Sequence, residues 1–543
     1  MLRPGPLRRE SNPPDPNGKT LVPATAQATL FTLPDPSVPA SAPARRKRPT
    51  VLSYGLGADS TAILLKFLAD PEEYGLEPDL SDLIVVHAVT GDEWPDSISY
   101  VDRLVLPLLA ARRVRTVQIA RGGRRDADGV VILSDTRTPG YIRPRGPWQL
   151  STELRVAGTV PQMARGRRTC SIRFKGWCLD AWAAYEFGTT TFRRVIGYHA
   201  GEQPRADKDT EIQQQLNRDA GRVICEPYYP LIDEGMGRAE VEAYVFGRLG
   251  EKIKKSYCAQ CPFSGVCASR DRHEERLRDH PEIGSAVLML EYTSQALNEK
   301  VALYGERSLY QQLTEDARND VVLTRFEDAL DAAPFALYEV RRLYLPGRTK
   351  DCRTWHGERC TRPRWWCRTK RSTACRRAHR TGFELVTGER VEGAPWCEGE
   401  APACRGEQVK GPAWRSVRTV WEGSRFDAEM TLLRWGRESG ARVRSGKSMI
   451  KRAYYLETGD GYPSASAYLV AAPAGVEDKQ RTAKNPEAGF EAKWTQVTGL
   501  VGTRWEPVRP LVVRERERLT GPVPVRRLTP EKARCASAVV LTA

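Results

Sequence analysis

The sequence predicts an α/β fold: a parallel sheet with helices on both faces, then a helical segment and a smaller basic C-terminal region. Two observations predict it. β-rich runs recur at Thr50 to Tyr54, Leu83 to Ala88, Arg115 to Ile119 and Arg193 to Gly197. Helix-length segments separate them, which is the pattern of strands joined by crossover helices. A third observation points to function. In such sheets ligands sit beyond the carboxyl ends of the strands, and segments 55–60, 90–95 and 197–205 fall there.

The first run is the most informative. Thr50 to Tyr54 reads as a short buried strand. Ala62, Ile63, Leu64, Leu65, Phe67 and Leu68 form an apolar run long enough for a helix. Asp59, Ser60 and Thr61 stand where that helix starts, and all three are good capping types. Gly55 and Gly57 let the chain turn tightly and approach an anion with no Cβ in the way. Strand, glycine turn and helix together offer free backbone N–H groups to a phosphate. A plain strand-to-helix turn fits the same residues. No Gly-Lys-Ser/Thr closes the segment, so it is not a Walker loop, and no third glycine makes it a dinucleotide fingerprint.

Length and composition bound the rest. The 543-residue chain suggests several domains. Hydrophobic residues make up 40%, and no apolar run approaches the length of a membrane span. Arg3, Arg8 and Arg9 precede no apolar h-region, so a cytoplasmic protein with no membrane partner is expected. The formal charge of +16 favours a polyanionic partner or an anionic substrate. Thirteen cysteines in a large chain argue for metal, cluster or thiol chemistry over disulfides.

Along the chain, residues 1–48 hold ten prolines and end in Arg45-Arg46-Lys47-Arg48, a disordered basic leader by composition. Residues 49–238 carry the alternating pattern, with a helix expected from Asp96 to Ala111. The Arg- and Gly-rich stretch 121–170 reads as a long active-site loop or lid. Residues 239–345 read as a helical segment, Pro281 to Lys300 being its clearest helix. Region 346–410 is basic and Cys/Trp-rich: Lys350 to Arg380 holds eleven Lys/Arg and two acids, with Trp355, Trp365 and Trp366 interleaved. That mixture suits backbone and stacking contact with nucleic acid, and equally a basic solvated surface. Cys352, Cys360, Cys367 and Cys375, with His356 and His379 near, fit no common zinc spacing. Residues 411–506 read as a small mixed α/β domain and 507–543 as a tail.

Four segments carry a resemblance. Gly55-Leu56-Gly57-Ala58-Asp59-Ser60 resembles the Ser-Gly-Gly-x-Asp-Ser pyrophosphate loop (PP-loop) of the adenine-nucleotide alpha-hydrolase superfamily, matching at Gly57, Asp59 and Ser60. Thr90-Gly91-Asp92-Glu93-Trp94-Pro95 is similar to the Asp-Thr-Gly-x-Glu-x-Pro block of the phosphoadenosine phosphosulfate (PAPS) reductase family, with Val89 in place of the leading Asp. Cys170-Ser171-Ile172-Arg173-Phe174-Lys175 resembles its Cys-Thr-x-x-Phe-Lys block. Gly197 to Arg205 resembles its Gly-x-x-x-x-Glu-x-x-Arg block, with Gly197, Glu202 and Arg205 in place. The family's C-terminal Glu-Cys-Gly-x-His segment is missing.

The resemblance implies a Rossmann-like enzyme that binds ATP or PAPS and acts at its phosphate or sulfate. Gly55, Gly57, Asp59, Ser60, Thr61, Gly91, Gly197 and Glu202 would hold the nucleotide. Arg168 and Lys175 would steady phosphates or sulfate, and Arg205 would neutralise developing charge. With ATP, Mg²⁺ would bridge the phosphates near Asp59 or Glu93. Cys258-x-x-Cys261, with Cys267 and with Cys170, Cys178 or Cys225 as a fourth ligand, suits a [4Fe–4S] cluster or Zn²⁺; a redox dithiol or buried structural cysteines suit the same residues. A Cys-x-x-Cys-Pro-Phe element after the nucleotide domain is similar to sulfurtransferase branches, including those of DNA phosphorothioation, which implies a sulfur-donor protein as partner. His87 reads as a satisfied core histidine. The expected activities are therefore sulfur transfer or nucleotidyl activation, a sulfurtransferase acting on nucleic acid, or nucleotide binding without turnover.

Overall fold

The computed structural model describes residues 7–9, 48–262, 267–347, 409–478 and 489–500, less positions 162, 165–166, 306, 447–448 and 460. All of them belong to the compact unit Met1–Arg504. The Trp- and Cys-rich stretch 350–380 and the tail 507–543 lie outside the described residues.

A seven-stranded sheet organises the N-terminal half. Its strands are β1 (Leu7–Arg9), β2 (Thr50–Ser53), β3 (Leu83–Ala88), β4 (Arg115–Arg121), β5 (Val130–Thr136), β8 (Phe192–Ile196) and β9 (Cys225–Tyr228). Two-residue strands β6 (Met163–Ala164) and β7 (Arg167–Arg168) pair separately. The order is β1-β5-β4-β3-β2-β8-β9. β4, β3, β2, β8 and β9 run parallel, and β5 is antiparallel to β4. The chain moves outward from β2 through β3 and β4 on one side, then returns to build β8 and β9 on the other.

Period-2 alternation explains why both faces are covered. Leu52, Val85 and Val195 point to one face and pack with α1 (Ala58–Ala69), α2 (Pro95–Leu104), α3 (Leu106–Ala111) and, later in the chain, Val241 and Val245 of helix Arg238–Leu249. Val51, Ile84, Val86, Val117 and Ile119 point to the other and meet Cys178, Ala181 and Trp182. These last three belong to α6 (Trp177–Phe187), which follows α4 (Leu150–Val156), the three-residue α5 (Thr169–Ser171) and a π-helical turn at Ile172–Gly176.

Three expectations are corrected. The helix expected over Asp96 to Ala111 is two helices broken at Val105, because Pro107 has no N–H to continue the first. Stretch 121–170 is not a structureless loop: Val130 to Leu133 are buried in β5, so the sheet is not wholly parallel. Leu7–Arg9, within the leader expected to be disordered, pairs with the exposed edge of β5.

Further on lie α7 (Gln203–Ala220), α8 (Pro230–Asp233), α9 (Arg238–Leu249), α10 (Cys267–Asp279), α11 (Pro281–Leu297), α12 (Leu309–Leu313) and α13 (Asp320–Ala332). A second, five-stranded antiparallel sheet follows, ordered β11-β10-β14-β13-β12. It comprises β10 (Phe335–Gly347), β11 (Val409–Gly423), β12 (Arg442–Ser445), β13 (Lys451–Glu457) and β14 (Ser464–Pro473), with α14 (Arg425–Ser439) and α15 (Phe490–Thr498). Among the described residues no helix is long and apolar enough to cross a membrane.

Candidate functional site

The turn after β2 is built by its own residues. Tyr54 keeps the ladder through its amide to Val86 O, and Gly57 then caps α1 in an extended conformation with no side-chain cap. Between them Leu56 adopts φ +57°, a left-handed conformation that favours glycine. Its side chain is buried against the α1 core, which offsets that strain. The Ser60 hydroxyl accepts from the Gly55 amide at 3.2 Å and lies 3.3 Å from Gly57 O, to which it donates. Among the described residues the amides of Leu56, Gly57 and Ala58 have no hydrogen-bond acceptor. Thr61 is turned inward, its hydroxyl 3.0 Å from that of Tyr54, so its side chain belongs to the core rather than to the open side of the turn.

The loop after β8 closes on the same helix end. A Cβ at Gly197 would stand 2.8 Å from the Ser60 amide nitrogen, so glycine is needed for this approach. Beyond it, His199 Nδ1 accepts from the Gly201 amide, and Glu202 pairs with Arg205. The Arg205 guanidinium stacks on Tyr198 at 4.7 Å and is largely exposed. Asp59 Oδ2 accepts from Arg238 at 2.9 Å, while its Oδ1 is buried with no partner. Burial raises the Asp59 carboxyl above its ordinary value, against the pull of Arg238 and His199.

The third part lies beyond β3. Glu93 folds back on its own turn: Oε1 accepts from the Thr90 amide at 3.0 Å and hydroxyl at 2.7 Å, and Oε2 from the Gly91 amide at 3.0 Å. Gly91 has φ +83°, and a Cβ there would strike Gln149 at 2.5 Å. His87 Nδ1 lies 2.9 Å from Tyr54 O; a carbonyl only accepts, so Nδ1 carries the proton. Nε2 is then a buried lone pair without a partner. Burial lowers the basicity of His87 and keeps it neutral. Burial opposes ionisation of Glu93, but the nearby His87, the Lys175 ammonium and its bonds from Thr90 hold its carboxyl below the ordinary value. With His87 neutral, Lys175 is the cation that matters, and among the described residues it makes no hydrogen bond or ion pair. Cys258 Sγ lies 3.5 Å from Thr90 Oγ1, its thiol pushed up to about 12 by burial.

One segment joins these parts. The Ser256 hydroxyl donates to Gly55 O at 2.6 Å, Cys258 meets Thr90, and the Ala259 amide donates to Asp92 O at 3.2 Å. Asp92 in turn accepts from the Ser151 amide at 2.7 Å and interacts with Gln260. Residues 256–260 thus lie across the carboxyl ends of β2 and β3.

Two groups therefore stand along one sheet edge: Asp59, Gly197, His199, Glu202, Arg205 and Arg238 beside the α1 terminus, and His87, Thr90, Glu93, Lys175 and Cys258 beyond β3. Arg168 lies exposed on β7 and is in neither group. No local sequence signal marks Ser256, Arg238 or His199, whereas His87, expected to be a core histidine, is marked by its place near the end of a buried strand. Cys170 and Cys258 pack against one apolar cluster, and the Cys267 side chain lies outside the described residues. Among the described residues no three His, Cys, Asp or Glu side chains are grouped to hold a metal ion. A cavity of about 1090 Å³ lies elsewhere, lined by residues of α11, α13 and α14 and by Ser445, Gly446 and Met449.

No protein-family model matches the chain, and no curated protein or solved structure matches it. Fold and edge define an α/β protein whose three loops converge beyond the strands β3, β2 and β8.

Proposed function

We propose that this chain is a PP-loop enzyme related to the PAPS reductases, which binds ATP or PAPS at the carboxyl edge of the first sheet and acts at its phosphate or sulfate. The observation that carries the reading is the turn at 55–58. Three successive amides there lack acceptors among the described residues, and that turn is the one Gly197 and Ser256 pin from either side. Amides at a helix start suit a phosphate chain. The position between β2 and β8, where the direction of the chain reverses, is where such sheets take ligands.

In this reading the phosphates lie on the amides of Leu56, Gly57 and Ala58, and Lys175 offsets negative charge near Glu93. The neutral His87 has an acceptor nitrogen available for a proton. Asp59 Oδ1, buried and unpartnered, is an oxygen that Mg²⁺ or its water would satisfy when ATP is the nucleotide. Cys258 beside Thr90 favours the sulfur-transfer branch, with activation of the nucleotide preceding attack by a sulfur nucleophile on the acceptor. Nucleic acid as that acceptor, a sulfur-donor protein and a cluster on Cys258, Cys261, Cys267 and Cys170 belong to the same proposal. Leu56 in a glycine conformation and Gly55 in place of Ser favour the other reading, a module that binds nucleotide without turnover.

The test is pyrophosphate release from ATP, and sulfite release from PAPS with a thiol reductant, by the purified chain. Release of either product supports the enzyme. ATP-dependent thermal stabilisation without product supports the binding module. Neither effect removes both readings. Metal and sulfide analysis of anaerobically purified protein decides the cysteine cluster.

A further inference from the structure

The second sheet carries a different pocket. A cavity of about 320 Å³ opens among β10, β13 and β14, walled by residues 298–300, 457–459 and 461–462. Its chemistry is basic and aromatic. Tyr344 projects into it from β10, and three cations surround that ring: Lys410 at 4.7 Å, Arg342 at 5.4 Å and Lys300 at 6.0 Å. Arg444 stacks on Tyr454 at 4.1 Å.

The pocket's carboxylates do not balance these charges. Glu457 pairs with Arg442 at 2.8 Å and with Arg444, and Glu299 faces the buried Arg452 at 3.9 Å. That leaves Lys300, Arg342 and Lys410 without an acidic partner among the described residues. Arg342 is instead held by the Tyr344 hydroxyl at 2.9 Å and by Leu297 O at 3.0 Å. Its field is felt nearby: burial, and then Arg342, push the Arg415 guanidinium down to about 10. Three cations gathered around one ring repel each other until an anion joins them.

An aromatic face ringed by cations is the combination that holds a base and its phosphates in single strands. The volume lies at the small end of ligand pockets, about 300–1,000 Å³. It admits one unstacked base, not a duplex. Lys300 and Lys410 are exposed at its rim, where neighbouring phosphates of a longer strand would pass. The chain's charge of +16 favours a polymer over a lone nucleotide.

We propose that this pocket of the second sheet binds single-stranded nucleic acid, one base stacking on Tyr344 with flanking phosphates on Lys300, Arg342 and Lys410. The site does not rest on the nucleotide reading at the first sheet, and none of its named residues belongs to stretch 350–380, which the sequence suggested for nucleic acid.

The experiment is fluorescence anisotropy of the full chain with a labelled single-stranded oligonucleotide at several salt concentrations. The Lys300→Gln/Lys410→Gln double variant is expected to bind about tenfold more weakly, with a slope of log K against log salt shallower by about 1.4. Tyr344→Leu loses about tenfold and Tyr344→Phe, which keeps the ring, retains binding. Unchanged thermal unfolding of the lysine variant excludes a folding defect. No binding by the wild-type chain, or variants that bind with wild-type affinity and slope, overturns the site. A mononucleotide that displaces the oligonucleotide at equal affinity overturns the polymer assignment.

Discussion

Gly197 lies so close to Ser60 that a Cβ on the glycine would stand 2.8 Å from the serine amide nitrogen and 3.1 Å from the Asp59 carbonyl carbon. Both neighbours are backbone at the start of α1, which cannot rotate away. Gly197→Ala is therefore expected to push the β8 loop off the helix, costing about 1–3 kcal/mol as overpacking does, and to abolish ATP-dependent thermal stabilisation. Gly140→Ala, outside the three loops, is the control: a Cβ at position 140 meets nothing within 4 Å. Thermal unfolding with and without ATP checks both. Equal behaviour of the two variants would detach this approach from nucleotide binding.

Leu56 inverts an ordinary ranking. At most positions alanine is more stable than glycine by roughly 0.5–1 kcal/mol, because glycine loses more backbone freedom. Leu56 sits at φ +57°, where a Cβ costs about 1–2 kcal/mol. Leu56→Ala and Leu56→Gly both empty a buried site, at roughly 2–5 kcal/mol, but only glycine relieves the backbone. Urea denaturation should therefore rank wild type above Leu56→Gly, and Leu56→Gly above Leu56→Ala. Alanine more stable than glycine would mean that this bend is not left-handed in solution.

The legibility of this chain follows the range of its contacts. β2, β3, β4 and β8 could be read because each carries two or three β-branched residues within a short segment. β5 escaped because its Val130 to Leu133 core is embedded in arginines, glycines and aspartates, whose composition suggested a loop. In the site, Asp59, Glu93 and Gly197 could be read from short patterns, and Glu93 bonds within its own turn. Ser256 could not, because it meets Gly55 across 201 residues, and Arg238 meets Asp59 across 179. Side chains that pin a loop from so far away leave no local periodicity. The two-helix break at Val105 is legible in Pro107, which has no N–H to continue the first helix.

Asp92 supplies a pH test. Burial raises its carboxyl from 3.8 to about 6, despite its bond from the Ser151 amide. The folded chain thus keeps this proton over a range where the unfolded chain has released it. Stability linked to Asp92 is present in full below about pH 4 and falls as pH rises towards 6. Asp92→Asn cannot ionise and still offers an amide oxygen to Ser151. Relative to wild type it should gain stability between pH 4.5 and pH 7.5, read as the difference in urea midpoints at the two values. A difference that stays constant, or moves the other way, would show that Asp92 ionises freely in the folded state.

Lys175 and Arg205 both match basic positions of the resembled blocks, yet their settings differ. Arg205 is already paired with Glu202, stacked on Tyr198 and largely exposed, so water screens its charge. Lys175 faces Glu93, His87 and the buried Cys258 thiol. A charge in such a sheltered place acts on a reacting group far more strongly than one in water. If the chain turns over nucleotide, Lys175→Ala should lower the rate of pyrophosphate or sulfite release by about 100-fold or more, and Arg205→Ala by less than about tenfold. Lys175→Met, which keeps the aliphatic stem, separates lost charge from lost packing: it should be as slow as the alanine variant while unfolding like wild type. A larger loss at Arg205 than at Lys175 would move the reacting group from beyond β3 to the loop after β8.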